Sequence, residues 1–299
     1  MPHPFDAKRL FSQVKPNSMF GRRAALLAVA SAAIASSLYF STLKMKKPAA
    51  LDPTEFRPFK VESTTDISHD TKRIRFKLNS GQSLGLPVAS CVVAKHESDP
   101  AIVRPYTPVT TEKDLGFFDL IVKKYPKGLL SNIIHSLKEG DVLEFKGPFR
   151  KLEYKPNMKK EIGMIAGGTG ITPMLQIIRE VVDNSSDKTR VTLLFANNTE
   201  HDILLKNELD NIAAQHSNFT VKYVLSKPSN GWNGLKGFIS ESMIKENMPQ
   251  NNPDSLILVC GPPGMMNHVS GDKAKDKSQG ELAGLLKKMG YEKENVYKF

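Results

Sequence analysis

Three short segments hold the residues whose types and spacing suit chemistry. Residues 104–108 read Arg-Pro-Tyr-Thr-Pro. Arginine is a permanent, forked cation that matches a phosphate. In an extended chain residues two apart share a face, so Arg104 and Tyr106 line one side while Pro105 and Pro108 stiffen the backbone. Thr107 offers a hydroxyl or an amide to a ring nitrogen. The set suits a flavin gripped by its phosphate and its ring edge. It also fits an ordinary edge strand. Lys127-Gly128-Leu129-Leu130-Ser131 reads as a helix start, where amides and Ser131 would take a pyrophosphate or simply cap the helix.

The second segment is Gly167-Gly168-Thr169-Gly170-Ile171-Thr172-Pro173. It follows an apolar run and opens a helix, the context in which a glycine turn has meaning. Glycines let a backbone approach a phosphate, and a helix start attracts anions. Thr172 suits the N-cap and Pro173 the first helical position. A plain tight turn reads the same way. No Gly-Lys-Ser/Thr follows, which disfavours an ATPase loop. The third segment, Cys260-Gly261-Pro262-Pro263-Gly264-Met265, ends a Leu-Ile-Leu-Val run. That places a thiol at the carboxyl edge of a sheet, where open α/β folds bind ligands. A buried, inert thiol is the alternative; the only nearby candidate base is His268. A flavin beside a nicotinamide would separate a hydride into single electrons.

Composition removes several classes. The chain has 299 residues, 42 Lys/Arg against 31 Asp/Glu, and two cysteines, Cys91 and Cys260. Residues 1–47 hold eight of the basic residues and one acid, so the remaining chain is nearly balanced. A nucleic-acid domain would concentrate charge on a folded face, and none is expected. The cysteine and histidine spacing predicts no metal site, cluster or disulfide framework.

Ala24–Leu43 is a run of twenty residues without a charge, flanked by Arg22 and Arg23 and by Lys44, Lys46 and Lys47. As a helix it would be about 30 Å long, a bilayer's hydrocarbon thickness. The residues before it are basic, acid-poor and partly amphipathic, as in a mitochondrial leader. A membrane anchor is expected here; a secretory signal and a helix buried in the globule compete. Pro2 excludes N-myristoylation.

These segments need two frameworks to position them. Residues 48–58 read as linker. From 59 to 155 short alternating runs (72–78, 88–94, 116–122, 141–145), punctuated by Gly and Pro, predict an antiparallel barrel with one helix over 129–137. From 156 to 299, strands at 162–166, 191–196, 221–225 and 256–259 alternate with helices, one from Pro173 and one through Ile203–Ala213. That pattern predicts a parallel α/β sheet.

Together the motifs resemble the NADH–cytochrome b5 reductases of the ferredoxin-reductase superfamily, over residues 59–299. Ile67–Thr71, Leu84–Val88 and Val103–Val109 are similar to that family's flavin half. Gly167–Gln176, Asp202–Leu205 and Cys260–Met265 are similar to its nicotinamide half. The tail resembles the mitochondrial, fungal-type form. The resemblance implies a FAD-binding barrel, an NAD-binding α/β domain and an N-terminal anchor helix. It implies electron transfer from NADH through FAD to cytochrome b5 or another acidic one-electron haem protein, steered by Lys and Arg near the flavin edge. It implies single-pass residence in the mitochondrial outer membrane, with a processed form in the intermembrane space. Arg104, with Pro105, would hold the FAD phosphate, and Tyr106 and Thr107 the ring edge. Gly128 and Ser131 would cradle the pyrophosphate, and Thr172 would touch the ring. Lys123 would serve NADH binding, and Gly168, Thr169 and Gly170 would face its phosphates. Cys260 would lie beside the nicotinamide, with Gly261, Pro262 and Met265 around it. Thr107 and Cys260 are the catalytic candidates. One departure stands out: Ser226-Lys227 occupies the place where NADH-selective members carry an acid. A reductase for another acceptor and a non-catalytic dinucleotide-binding scaffold are the rival functions.

Overall fold

A computed structural model describes residues 49–299. The expected anchor at 24–43 lies outside the described residues. Among the described residues no helix is long and apolar enough to cross a membrane.

The first half is a six-stranded antiparallel sheet. Its strands are β1 (Arg57–Ser68), β2 (Thr71–Lys77), β3 (Ser90–His96), β4 (Asp99–Tyr106), β5 (Phe117–Lys123) and β6 (Val142–Arg150). Their order is β4-β3-β6-β1-β2-β5. The two edges, β4 and β5, are both packed by helix α1 (Leu129–Ser136). A helix therefore covers the open side of the expected barrel and shields unpaired strand edges. Inside, Phe59, Phe76, Phe118 and Phe145 form one cluster, with Phe76 stacked on Phe118 at 5.0 Å and edge-on to Phe145 at 4.9 Å. Within residues 49–58, Ala50 and Leu51 are buried, and their amides donate to the Ser83 and Leu84 carbonyls.

The second half is a six-stranded sheet whose ladders are all parallel. It comprises β7 (Glu161–Gly167), β8 (Arg190–Asn197), β9 (Phe219–Leu225), β10 (Leu235–Lys236), β11 (Ser255–Cys260) and β12 (Val296–Lys298). The order is β10-β9-β8-β7-β11-β12. Both faces are buried. Ile162, Met164, Leu193 and Phe195 face one core, and Ile165, Leu194, Val224 and Ile257 the other. Such strands read as continuous apolar runs, which is why the sequence reveals them.

Two helix starts differ from expectation. The helix after β7, α2, spans Ile171–Asp183 and follows a 3-10 turn at Gly168–Gly170. Gly170, not Thr172, occupies its N-cap, and Pro173 sits two residues inside the start, where its missing N–H is still harmless. The apolar run Ile203–Leu205 is not helical. Asp202 is bonded back to Thr199, Leu205 has φ +59, and α3 begins only at Lys206 and runs to Gln215. Burial of Ile203 and Leu204 accounts for the apolar run instead.

Candidate active site

Arg104 and Tyr106 project from the last residues of β4, opposite Ala94 and Val92 of β3. The edge-strand reading and the ligand reading thus describe the same residues. The Arg104 guanidinium is exposed and donates to the Val103 carbonyl at 2.8 Å. Among the described residues no carboxylate pairs with it. Tyr106 and Thr107 are half-buried, and Pro105 is exposed. Burial pushes the Tyr106 phenol up to about 12, against the pull of Arg104, so it is a neutral donor.

Helix α1 packs beside β4. Gly128 precedes the helix in an extended conformation, and no side chain caps the first turn. Its first amides are therefore available to an anion. Ser131 is partly occupied: its hydroxyl donates to the Gly128 carbonyl at 3.2 Å and accepts from the Tyr125 amide at 3.4 Å. A Cβ on Gly128 would strike that hydroxyl. An unpaired guanidinium, a neutral phenol and a helix start without a side-chain cap fit a dinucleotide such as FAD.

A cleft of about 640 Å³ opens at the carboxyl edge of the parallel sheet. Lys123 and Tyr125 form one wall, and Gly168, Asn197, Ser226 and Met265 contribute to the other. The sheet order changes direction between β7 and β11, the switch point at which open α/β sheets bind ligands. The glycines divide by role. Gly168 has φ +52 and open space before it. Gly170 is buried, and a Cβ there would overlap the Cys260 carbonyl; Gly167 and Gly261 are filled by the Met265 side chain. Gly168 and, in the second loop, Gly264 keep their backbone open at the cleft, whereas Gly167, Gly170 and Gly261 let the two loops touch. Thr169 lies 3.5 Å from the Tyr125 hydroxyl, and Thr172 donates to the Thr169 carbonyl at 3.1 Å. Thr172 thus braces the turn.

Lys123 sits 2.7 Å from Asp70 and 3.9 Å from Asp202. Burial pushes Asp70 up, but Lys123 and the Thr71 and Ser68 hydroxyls outweigh it and hold the carboxyl below its usual range. Lys123 enters the cleft already paired. Both polar atoms of the Asn197 amide are buried without a partner, an unusual state that a polar ligand would relieve. Asp202 and His268, which the motifs had brought to notice, line the cleft, as do Asn197 and Phe238, which no motif marked. Phe238 is 79% exposed, an apolar ring standing in solvent beside a ligand cleft.

Cys260 is half-buried and outside the cleft wall, although Pro262 and Met265 belong to it. Burial pushes its thiol up to about 12, with Lys273 pulling the other way. His268 is tied to the Ile239 carbonyl at 2.8 Å. The thiol is therefore neutral and unactivated, and no nucleophilic role follows. Cys260→Ala should retain fold and FAD and slow FAD reduction by about tenfold or less, as for a displaced reactant rather than a lost acid or base. Rapid-mixing kinetics of the purified variant check this; loss of folding with a normal rate per folded molecule would make the thiol purely structural.

Comparison with known proteins agrees with this division of labour. Residues 58–154 match the oxidoreductase FAD-binding domain and residues 164–271 the oxidoreductase NAD-binding domain. The chain is thus a two-domain flavoprotein oxidoreductase. It is 48% identical over 257 residues to an NADH-cytochrome b5 reductase-like protein of Arabidopsis thaliana, covering 84% of this chain and 78% of that one. It is 46% identical over 277 residues to NADH-cytochrome b5 reductase 2 of Yarrowia lipolytica, covering 90% and 95%. The crystal structure of the cytochrome b5 reductase domain of Ulva prolifera nitrate reductase superposes with a TM-score of 0.74 at 33% identity, covering 84% of this chain and all of that domain. The chain belongs to the NADH-cytochrome b5 reductase family.

Proposed function

We propose that this reductase passes electrons from NADH to cytochrome b5 or a similar acidic, one-electron haem protein. The observation that carries the reading is the meeting of two loops, Gly168–Gly170 and Cys260–Met265, at the sheet's switch point, with Lys123 and Tyr125 of the flavin half opposite. Arg104 holds the FAD phosphate and Pro105 stiffens its strand. Tyr106 and Thr107 take the ring edge, and Gly128 and Ser131 border the pyrophosphate. Lys123, Gly168 and Thr169 meet NADH, with Pro262 and Met265 behind the nicotinamide. Gly170, Gly261 and Thr172 shape the turn that receives it, and Cys260 backs that turn. Held by these residues, FAD would supply the chemistry that links a hydride donor to a one-electron acceptor. The chain's own part is to hold both ring systems in register and keep water from between them. Turnover with NADH and cytochrome b5, beside an iron–sulfur protein as alternative acceptor, tests the acceptor. Preference for the iron–sulfur protein would refute it.

We further propose that residues 24–43 anchor the protein in the mitochondrial outer membrane as a single pass, with a processed form in the intermembrane space. The length and flanking charges of that run support this. Deleting residues 1–47 should release a soluble reductase that retains FAD and full activity. An insoluble or flavin-free product would show that the segment belongs to the folded core.

The cleft bears on nucleotide choice. Ser226 follows β9, lines the cleft and donates to Asn198 Oδ1 at 3.2 Å. A carboxylate there would repel a 2′-phosphate by about 1–4 kcal/mol at effective dielectrics of 80 to 20. Ser226→Asp should therefore raise the NADH/NADPH ratio of kcat/KM about tenfold, mainly by penalising NADPH. An unchanged ratio would place Ser226 away from the adenine ribose.

A further inference from the structure

Helix α2 presents a polar stripe to the flavin half. Thr172, Gln176, Arg179 and Asp183 recur at intervals of four, three and four residues, which puts them on one face. A helix normally buries an apolar stripe at this spacing. Here Thr172 and Gln176 are each only 6% exposed. The three lower members reach across to the first half. The Gln176 amide donates to the Pro108 carbonyl at 2.9 Å and accepts from the Ser90 amide at 3.2 Å. Arg179 donates to the Val109 carbonyl and forks onto Glu208. Asp183 accepts from Lys113 at 2.7 Å.

The placement of these bonds matters more than their number. Pro108 and Val109 directly follow Arg104–Thr107, and α2 directly follows Gly168–Gly170. Gln176 lies six residues, about 9 Å of helix, from the glycine turn. One rigid helix therefore joins the segment read as flavin edge to the turn read as dinucleotide site. Apolar burial would hold the halves together without specifying register, since it is non-directional. Paired, buried hydrogen bonds are directional and costly to leave unmade.

We propose that Gln176, seconded by Arg179, is a positioning residue that sets the approach of the nicotinamide to the flavin ring. The proposal rests on the functional reading above. Gln176→Leu keeps the side-chain volume and removes both bonds. The purified holo-variant should retain FAD and a KM for NADH within about twofold of wild type. Its rate of FAD reduction should fall about tenfold to a hundredfold, the penalty for a misplacement of about 1 Å. Independently of activity, the Ser90 amide should exchange its hydrogen faster, and the visible circular dichroism of bound FAD should change. Should Gln176→Leu not fold, Arg179→Gln loosens the same joint from its half-exposed end and should show the same split between rate and KM. A normal reduction rate in a variant whose Ser90 amide exchanges freely would overturn the proposal. So would a loss of stability with a normal rate per folded holo-enzyme. A wild-type protein that binds FAD but is not reduced by NADH would overturn the functional reading, and this proposal with it.

Discussion

Gly170→Ala is expected to destabilise the protein by about 3 kcal/mol and to raise the KM for NADH at least tenfold. Gly170 has φ −61 and ψ −9, an ordinary helical conformation, so the backbone itself would accept alanine. The obstacle is steric. The added Cβ would overlap the carbonyl oxygen and carbon of Cys260 and press on the Gly261 amide. These are backbone atoms at the end of a central strand, and no rotamer change relieves them. Either β11 or the start of α2 must move. Overpacking of this kind costs about 1–3 kcal/mol or more, and here it also opens the junction proposed to receive the dinucleotide. Gly168→Ala is the informative contrast. Its Cβ meets nothing within 4 Å, and only the positive φ opposes it, at about 1–2 kcal/mol. Denaturation midpoints at saturating FAD, with KM measured on the folded fraction, separate the two. Equal stability of Gly170→Ala and wild type would show that the two loops do not touch.

Arg104→Ala should weaken FAD binding about tenfold to a hundredfold while leaving folding intact. The guanidinium is exposed and bonded only to a neighbouring carbonyl, so its removal strands no buried partner. On the proposed role of Arg104, what is lost is a charge-assisted, forked contact to phosphate, worth about 1.5–3 kcal/mol. Arg104→Lys should fall between, since it keeps the charge and loses the fork. The FAD-to-protein ratio after purification and a fluorescence titration of the apoprotein measure this. KM for NADH in the FAD-loaded fraction should not move. Full occupancy in Arg104→Ala would place the phosphate elsewhere.

The sequence revealed what local chemistry determines and missed what tertiary packing determines. Strands such as Ile162–Ala166 were legible because both faces are buried, leaving an apolar run bounded by turns. β1 was not, because between Val61 and Ile67 its side chains are polar and largely exposed. Ile203–Leu205 has helical composition but is held by the Thr199–Asp202 turn and the core. Ala50 and Leu51 resemble linker residues until Ser83 and Leu84 are seen to pair with them. Within the candidate site, residue type drew notice to Arg104, which is exposed, and to Gly168, which has open space before it. Gly170 and Gly261 drew notice as ligand glycines, and packing adds a second reason for glycine there, the close contact of the two loops. Phe238 and Asn197 gave no local signal, and Gln176 appeared only as the end of a motif, because its bonds to Pro108 and Ser90 reach across to residues distant in sequence.

The most direct test of the account is anaerobic mixing of the purified protein with one equivalent of NADH. The protein should arrive yellow, and its flavin absorbance should bleach within the mixing experiment. Subsequent addition of oxidised cytochrome b5 should restore the colour as two equivalents of haem are reduced. A flavin spectrum unaltered by NADH, or a bleached flavin that cytochrome b5 does not reoxidise, would contradict it.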